Sequence, residues 1–600
     1  MNMAYLSAVD IILIIAYVCA SIGIALAVRK RAGRNTEEFF LSGRKLPWWL
    51  AGTAMVATTF AADTPLAVTE LVAKHGIAGN WLWWNMVAGT ILTVFFFAKL
   101  WRRAGIMTDV EFIELRYAGR SAAFLRGFRA VYLGLFMNVI IMGWVNLAMA
   151  SILKIMFGID DIFAMLIIVC LMILVGIYSA VAGLWGVALT DFFQFIMAIA
   201  GCVALAVVVV GLPAIGGMRG LTEALPAHVF DFFPSVSPTT AAAGTMSLTA
   251  AAFLAHIAVQ WWASWYPGNE PGGGGYVAQR MMSAKDERHS LFATLWFAVA
   301  HYAIRPWPWI VVGLASLVLY PGLAHPREGY IMAMRDHLPS GMRGFLVAAF
   351  LAAYMSTIAT HLNWGSSYLV NDLYKRFVRP GAEERHLVAV SRIATLALVI
   401  CSSAVINLME SITGAWEFII ECGAGLGLVL ILRWYWWRVN AWSEIAAMIA
   451  PLVIFGALKA AAYAAGPESA VGRIAHFPVS LFFIAGGTTF VWIAATFLTK
   501  PVPEEKLVGF YRQVRPGGIG WNRIITAAGL KDEPDRLAGL FVNWILGVLL
   551  VYAFLFAIGW LIFGYYLRGG SACLIAALIA AAIVVRVQRR TELGSAFHGK

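Results

Sequence analysis

The chain has 600 residues, 61% hydrophobic and 13% charged, with a formal net charge of +12 and a mean hydropathy of +0.78. That composition excludes a water-soluble globular protein and predicts an all-α polytopic membrane protein. The positive charge does not point to nucleic acid, because the basic residues fall in short connections between apolar stretches, where membrane topology uses them.

In chain order, apolar spans are read at about 8–28, 47–72, 80–101, 127–152, 160–182, 184–211, 246–266, 289–320, 341–372, 387–409, 412–436, 442–465, 476–499, 537–566 and 570–587, about fifteen helices in all. The first lacks a small-residue cleavage pattern and is followed by positive charge, so it reads as a retained helix. Arg29, Lys30, Arg31, Arg34, Arg44 and Lys45 follow that span, and Lys99, Arg102 and Arg103 follow the third. Further basic groups stand at Arg280, Lys285 and Arg288, at Lys375, Arg376, Arg379 and Arg385, at Arg433 and Arg438, and at Arg586, Arg589 and Arg590. All share one side if the spans alternate. That predicts a multi-pass protein of the cell's inner (plasma) membrane, amino terminus outside and carboxyl terminus inside. The six cysteines, Cys19, Cys170, Cys202, Cys401, Cys422 and Cys573, lie within or beside spans and imply no disulfide framework.

A leading helix with its inner loop (1–46) precedes two groups of five spans, 47–211 and 246–437, separated by a Gly-, Pro- and Ser-rich outer loop at 212–245 that has room for a short surface helix. The carboxyl-terminal part, 438–600, holds about four more helices and an inner loop at about 500–536, too short for an enzymatic domain. Two odd-numbered groups enter the membrane from opposite sides, the arithmetic of inverted-repeat transporters, although no repeat is visible residue by residue. The inner loop at 267–288 contains Gly272 to Gly275 and reads as a flexible gate or turn, since it lacks the GxxxxGK[ST] context of a phosphate cradle.

Polar residues inside apolar spans mark where function resides. The second span carries Thr53, Thr58, Thr59, Asp63, Thr64 and Pro65; the proline frees a carbonyl near Ala61, and an unwound point there exposes the carbonyls of Ala57 and Phe60. Asp63 either meets an ion or substrate or caps the second half-helix, and an intramembrane carboxylate costs roughly 2.5–3.5 kcal/mol on insertion scales. In the ninth span, Ser356 and Thr357 lie near Ala353. Their hydroxyls with freed carbonyls suit a small alkali cation, or else they bond the carbonyl one turn back. Asp191, in TDFFQ near the inner end of the sixth span, binds a cation or holds a helix contact.

The eighth span contains HYAIRPWPW, in which Arg305 stands beside Pro306 and His301 one turn earlier. This arginine can receive an anionic substrate group, or pair with Asp63, Glu70 or Glu421. Aromatic belts account for most of Trp81, Trp83, Trp84, Trp261, Trp262, Trp265 and Tyr266, leaving Asn85, Gln260 and a ring such as Trp261 as solute contacts. Trp434 to Trp437, framed by Arg433 and Arg438, read as an inner interfacial anchor. No HExxH, GxSxG or metal-spaced Cys and His cluster occurs, so no catalytic set emerges.

Four segments together resemble the sodium:solute symporter family: FFLSGRKLPWWLAGTAMVATTFAAD from Phe39, GLWGVALTDFFQ from Gly183, YVAQRMMSAKDE from Tyr276 and AAYMSTIATHLNWGSSYLVNDLYKRF from Ala352. The resemblance covers about 39–437. It implies a five-plus-five inverted-repeat (LeuT-like) core with one leading and about four trailing helices, acting as a secondary symporter that couples inward sodium movement to uptake of a small organic solute by alternating access. It also implies sodium ligands at the backbone of Ala57, Phe60 and Ala353 and at the hydroxyls of Ser356 and Thr357, with Asp191 tied to ion coupling or a second cation. Thr59 stands where several members carry asparagine or aspartate.

The substrate, a sugar, amino acid or carboxylate, is expected to meet residues among Asp63, Thr64, Asn85, Gln260, Trp261, His301 and Arg305. The expected partners are this solute and the lipid bilayer, with no nucleic acid and no obligate protein partner. A transporter-like sensor or scaffold is the alternative; a membrane enzyme would have to rely on Asp63 and His301.

Overall fold

In hydrocarbon, backbone N–H and C=O groups must be satisfied within the protein, so the apolar stretches form helices. The computed structural model describes residues 5–32, 38, 41–106, 108–236, 247–248, 250–409, 411–466, 468–529 and 537–598. Phe39, Arg34, part of the outer loop (237–245), the end of the inner loop (530–536) and the side chains of Arg29, Lys30, Arg31, Arg385, Arg589 and Arg590 lie outside what it describes.

Among the described residues, nine helices are long and apolar enough to cross a membrane. A tenth span is the pair Ile412–Cys422 and Leu426–Tyr435, bent by 50°. The remaining expected spans coincide with shorter helices: Ala8–Ala32, Trp48–Thr59 with Asp63–His75, Asp161–Gly176, Ala251–Ala263 and Glu384–Val405. The expected fifth and sixth spans run on as one helical stretch of 50 residues, Asp161–Val210. A straight helix of that length would reach about 75 Å, against a hydrocarbon core of about 30 Å, which is length enough for two crossings. Apart from a two-residue strand pair, Ser235–Val236 with Ser247–Leu248, the described protein is helical, and Gly217–Ala224 supplies the short helix of the outer loop.

Burial separates a core from a periphery. The most apolar window of Ile77–Ala104 is 94% buried and that of Met342–Val378 83%, whereas Ala441–Ala465 and Tyr566–Gln588 are buried over only 28% and 22% of theirs. The core helices are therefore surrounded by protein, and the trailing ones present Leu498, Leu567, Leu574 and Leu578 to lipid. Asp10 in the first helix is fully buried and serves the core directly: its Oδ1 accepts from the Gly341 and Gly344 amides, both at 2.7 Å, at the start of the helix that carries Ser356 and Thr357.

The second span is broken as expected, with Phe60 to Ala62 between its halves; Phe60 N–H bonds the Val56 and Ala57 carbonyls at 2.9 and 3.0 Å. Pro65 sits in the first turn of the second half, where its missing donor costs nothing.

The seventh span departs from the reading above. It is not followed by an exposed inner loop: Ala251–Ala263 gives way to an extended stretch, and a second half-helix, Gly275–Ser283, completes the span with nearly every residue buried. Gly272 and Gly273 adopt φ of +80° and +78°, and the Trp101 indole donates to the Gly272 carbonyl at 2.8 Å. The glycines thus close a packed turn and do not form a flexible gate. Leu46 N–H bonds the Ser283 carbonyl at 3.1 Å and the Lys285 N–H bonds the Leu46 carbonyl at 3.0 Å, lacing the start of one broken span to the end of the other.

Contacts gather the loops after odd-numbered spans on one face. Arg44 donates to the Gly105 and Ile106 carbonyls, Arg102 to the Ala284 carbonyl, and Arg103 pairs with Glu287 at 2.7 Å. Arg376 pairs with Glu114 at 2.8 Å, and Arg438 donates to the Thr499 carbonyl. Trp434 and Arg433 are not an interfacial anchor. Both are fully buried, the indole against Phe112 at 4.3 Å and the guanidinium against Glu444 at 3.4 Å.

Gly273→Ala should lower the thermal midpoint of the purified protein, because the left-handed φ costs about 1–2 kcal/mol and the new Cβ would stand 2.7 Å from the Trp101 indole nitrogen.

Candidate functional site

The two breaks line one cavity. Thr58, Thr59, Ala61, Asp63 and Thr64 reach it from the first, and Tyr266, Pro267, Gly268 and Asn269 from the second. Trp83, Met86, Trp144, Tyr276, His301, Tyr302, Arg305, Thr357, His361 and Trp416 are among the residues that close it, and it leaves about 70 Å³ of room for the centres of water molecules. Gly268 sits at φ +83°, and a Cβ there would run into the Tyr276 hydroxyl.

Four of the seven substrate candidates line this cavity: Asp63, Thr64, His301 and Arg305. The helix around the latter two widens by one residue at Ala300–Ile304, and the Arg305 N–H reaches the Ala300 carbonyl five residues back. Pro306 ends the regular ladder there because it has no N–H to offer. Arg305 then donates to the Thr59 hydroxyl (3.1 Å), the Val56 carbonyl (3.4 Å) and the His301 carbonyl (3.2 Å), while His301 Nδ1 lies 3.0 Å from the Thr59 hydroxyl. The anticipated partners Glu70 and Glu421 are taken by Lys74 and Lys459, at 2.6 and 3.7 Å. Asp63 does not cap its half-helix through its side chain, and its Oδ1, buried, has no hydrogen-bond partner.

The other three candidates stand apart from the cavity. Asn85 turns back on its own helix, donating to the Trp81 and Leu82 carbonyls; Gln260 donates to the Leu82 carbonyl at 2.8 Å and lies 2.7 Å from His256 Nδ1. Trp261 packs on Trp544 with ring centroids 5.6 Å apart. Their neighbours in sequence or across the break, Trp83, Met86, Tyr266 and Asn269, hold the lining positions instead. Asn269 is fixed there by the Thr90 hydroxyl at 2.5 Å, itself 3.0 Å from the Tyr302 hydroxyl.

Ala57, Phe60, Ala353, Ser356 and Thr357 are all buried, where the first break meets the ninth span. The Thr357 hydroxyl lies 3.0 Å from the Ala353 carbonyl and 3.3 Å from that of Thr58, a residue the sequence reading left out of this group. The Ser356 hydroxyl donates to Asp191 Oδ1 at 2.6 Å. Behind them stands Arg280, read from sequence as one of an inner basic cluster but 1% exposed: its guanidinium lies 3.8 Å from Asp191 Oδ2 and donates to the Thr58 hydroxyl at 3.2 Å. These neutral carbonyl and hydroxyl oxygens are hard donors that fit an alkali cation. Among the described residues no group of three or more His, Cys, Asp or Glu is placed to hold a metal ion.

The description "Sodium:solute symporter family" matches residues 39–451 of this chain. The sodium/glucose cotransporter of Vibrio parahaemolyticus is 26% identical over 485 residues, covering 75% of this chain and 85% of its own. The sodium/mannose cotransporter of Bos taurus is 25% identical, covering 83% and 88%. Among solved structures, a Na+-coupled sialic acid symporter in a substrate-bound outward-open state superposes with a TM-score of 0.63 at 21% identity, covering 83% of this chain and 99% of its own. The chain therefore belongs to the sodium:solute symporter family, and is a polytopic membrane carrier that couples sodium to a small solute and not an enzyme.

Proposed function

We propose that the cavity between the two broken spans is the solute site and that Ala57, Phe60, Ala353, Ser356 and Thr357 hold the transported sodium. Asp191 would serve ion coupling or a second cation. The observation that carries this reading is the Thr357 hydroxyl, which spans from its own helix to the Thr58 carbonyl at the break while its side chain lines the cavity. Donors shared between two helices bind a cation best when both helices are in place, so sodium favours the arrangement that also completes the solute cavity. The coupling is reciprocal: whatever sodium adds to solute affinity, the solute adds to sodium affinity.

In this reading the core is a five-plus-five inverted repeat. The first unit spans 47–211 and the second 246–437, joined by the outer loop 212–245, with 1–46 leading and 438–600 trailing. The lacing of Leu46 to Ser283 and Lys285 supports it, because each broken span is the first of its unit, and in an inverted pair the start of one lies beside the end of the other. The protein sits in the cell membrane with the basic face inside, the amino terminus outside and the carboxyl terminus inside, the arrangement that the positive charges favour. Uptake then proceeds by alternating access, with solute and sodium released where sodium is scarce.

Three measurements test this. Thr357→Ala should raise the sodium concentration for half-maximal uptake about tenfold, the equivalent of roughly 1.4 kcal/mol, and unchanged sodium activation in vesicles would remove the assignment. Arg280→Gln should lower the unfolding midpoint by the equivalent of about 3 kcal/mol, because it strands the Asp191 carboxylate; adding Asp191→Asn should restore most of the loss. In a background without native cysteines, Glu505→Cys should react with an impermeant maleimide only in inside-out vesicles and Glu223→Cys only in right-side-out ones.

A further inference from the structure

The cavity walls hold two opposite charges, and neither has a counter-ion in contact. Asp63 is 3% exposed and Arg305 1%, and both line the space. Among the described residues neither makes an ion pair within 4.0 Å, with the other or with a third group. The Arg305 guanidinium bonds only neutral groups, Thr59, Val56 and His301, which orient the fork without neutralising it. Only neutral donors approach the Asp63 carboxylate, the Trp416 indole N–H and the amides of Asp63 and Thr64, and its Oδ1 makes no close hydrogen bond. A buried charge left in this condition is costly, and the cost is relieved when a ligand supplies the opposite charge.

Resting on the assignment of this cavity as the solute site, we propose that the transported solute is a small zwitterion, with its ammonium at Asp63 and its carboxylate at Arg305. The chemistry on each side agrees. Arginine presents a planar fork to a carboxylate. The rings of Tyr266 and Trp416, 6.0 Å apart at centroids, share the lining with Asp63 and offer π faces to an ammonium or a methylated nitrogen.

Room of about 70 Å³ corresponds to roughly five to seven waters at 10–15 Å³ each. That admits an amino acid or a monosaccharide. Charge decides between the two that fit: a neutral sugar would leave Asp63 and Arg305 only each other's charge, beyond contact distance, whereas a zwitterion gives each an ion in contact.

The test is thermal stability and vesicle uptake of the full-length protein in sodium and in potassium. The probes are alanine, proline and glycine betaine as zwitterions, propylamine and propionate as their single-charge counterparts, and glucose and galactose as neutral solutes. At least one zwitterion should stabilise the protein in sodium only, at a concentration tenfold or more below that needed for propylamine or propionate. Asp63→Asn and Arg305→Gln should each weaken that effect at least tenfold while the shift produced by sodium alone persists, which also shows that the variants fold.

Sodium-dependent stabilisation by a sugar with none from the zwitterions would overturn the proposal and leave the sodium-coupled solute site standing. So would equal zwitterion affinity in Asp63→Asn, or loss of the sodium-only shift in that variant, which would give the carboxylate to the cation. Absence of any sodium effect, alone or with any probe, would overturn the solute-site assignment and this inference together.

Discussion

The structure depends on one constraint: a backbone that leaves its helix inside a membrane must find its hydrogen bonds within the protein. Two of the interrupted spans break beside the cavity, and most residues at both breaks are buried. The first is closed by Phe60, whose N–H turns back to Val56 and Ala57. The second is closed by glycines that let Trp101, Glu270 and the Leu430 backbone approach closely. Because lipid cannot touch either break, the helices around them have to be the most enclosed in the molecule, and the trailing helices are left to face lipid. The cavity is a by-product of the same requirement: two interrupted helices facing each other leave space where regular ones would have packed.

Polar side chains then find partners because the alternative is an unsatisfied group in a low-dielectric interior. Thr58, Arg280, Asp191 and Ser356 form such a chain, drawing in the second broken span, the first, the sixth and the ninth. Asp10 does the same between the leading helix and the start of the ninth span. Helices in lipid gain little from burying apolar surface against one another, so these few polar contacts and close backbone approaches carry much of the specificity of packing.

Hydropathy was enough to place the nine long apolar helices and the bent tenth, and Pro65 with Asp63 was enough to mark the first break. The second break was not legible. PGNEPGGGG has the composition of a loop, and nothing local distinguishes a loop in water from an unwound segment walled in by protein. Arg280 was misplaced for the same reason: counted as a basic residue beyond a span, it took on a topological meaning that burial beside Asp191 replaces with a structural one. Asn85, Gln260 and Trp261 lie off the cavity by a matter of register. The helices were right, but which residue of a turn faces the cavity depends on rotation about the helix axis, and apolar residues on all sides leave that rotation unspecified. Arg305 stood out by its proline neighbour, but its lack of an acidic partner could only be seen once Glu70 and Glu421 had been paired elsewhere.

A further cluster of charge is buried within the protein. Asp109 accepts from the amide of Gly275 and from Tyr368, and lies 3.4 Å from Arg129; Arg129 reaches Glu444 at 3.6 Å, and Glu444 meets Arg433 and Tyr117. Four stretches far apart in sequence, 109–129, 275, 368 and 433–444, converge there, and the ions among them are buried. Separating one pair there leaves the others short of a counter-charge in a buried setting. The cluster therefore comes apart as a unit or not at all, which ties these stretches of chain into one rigid block.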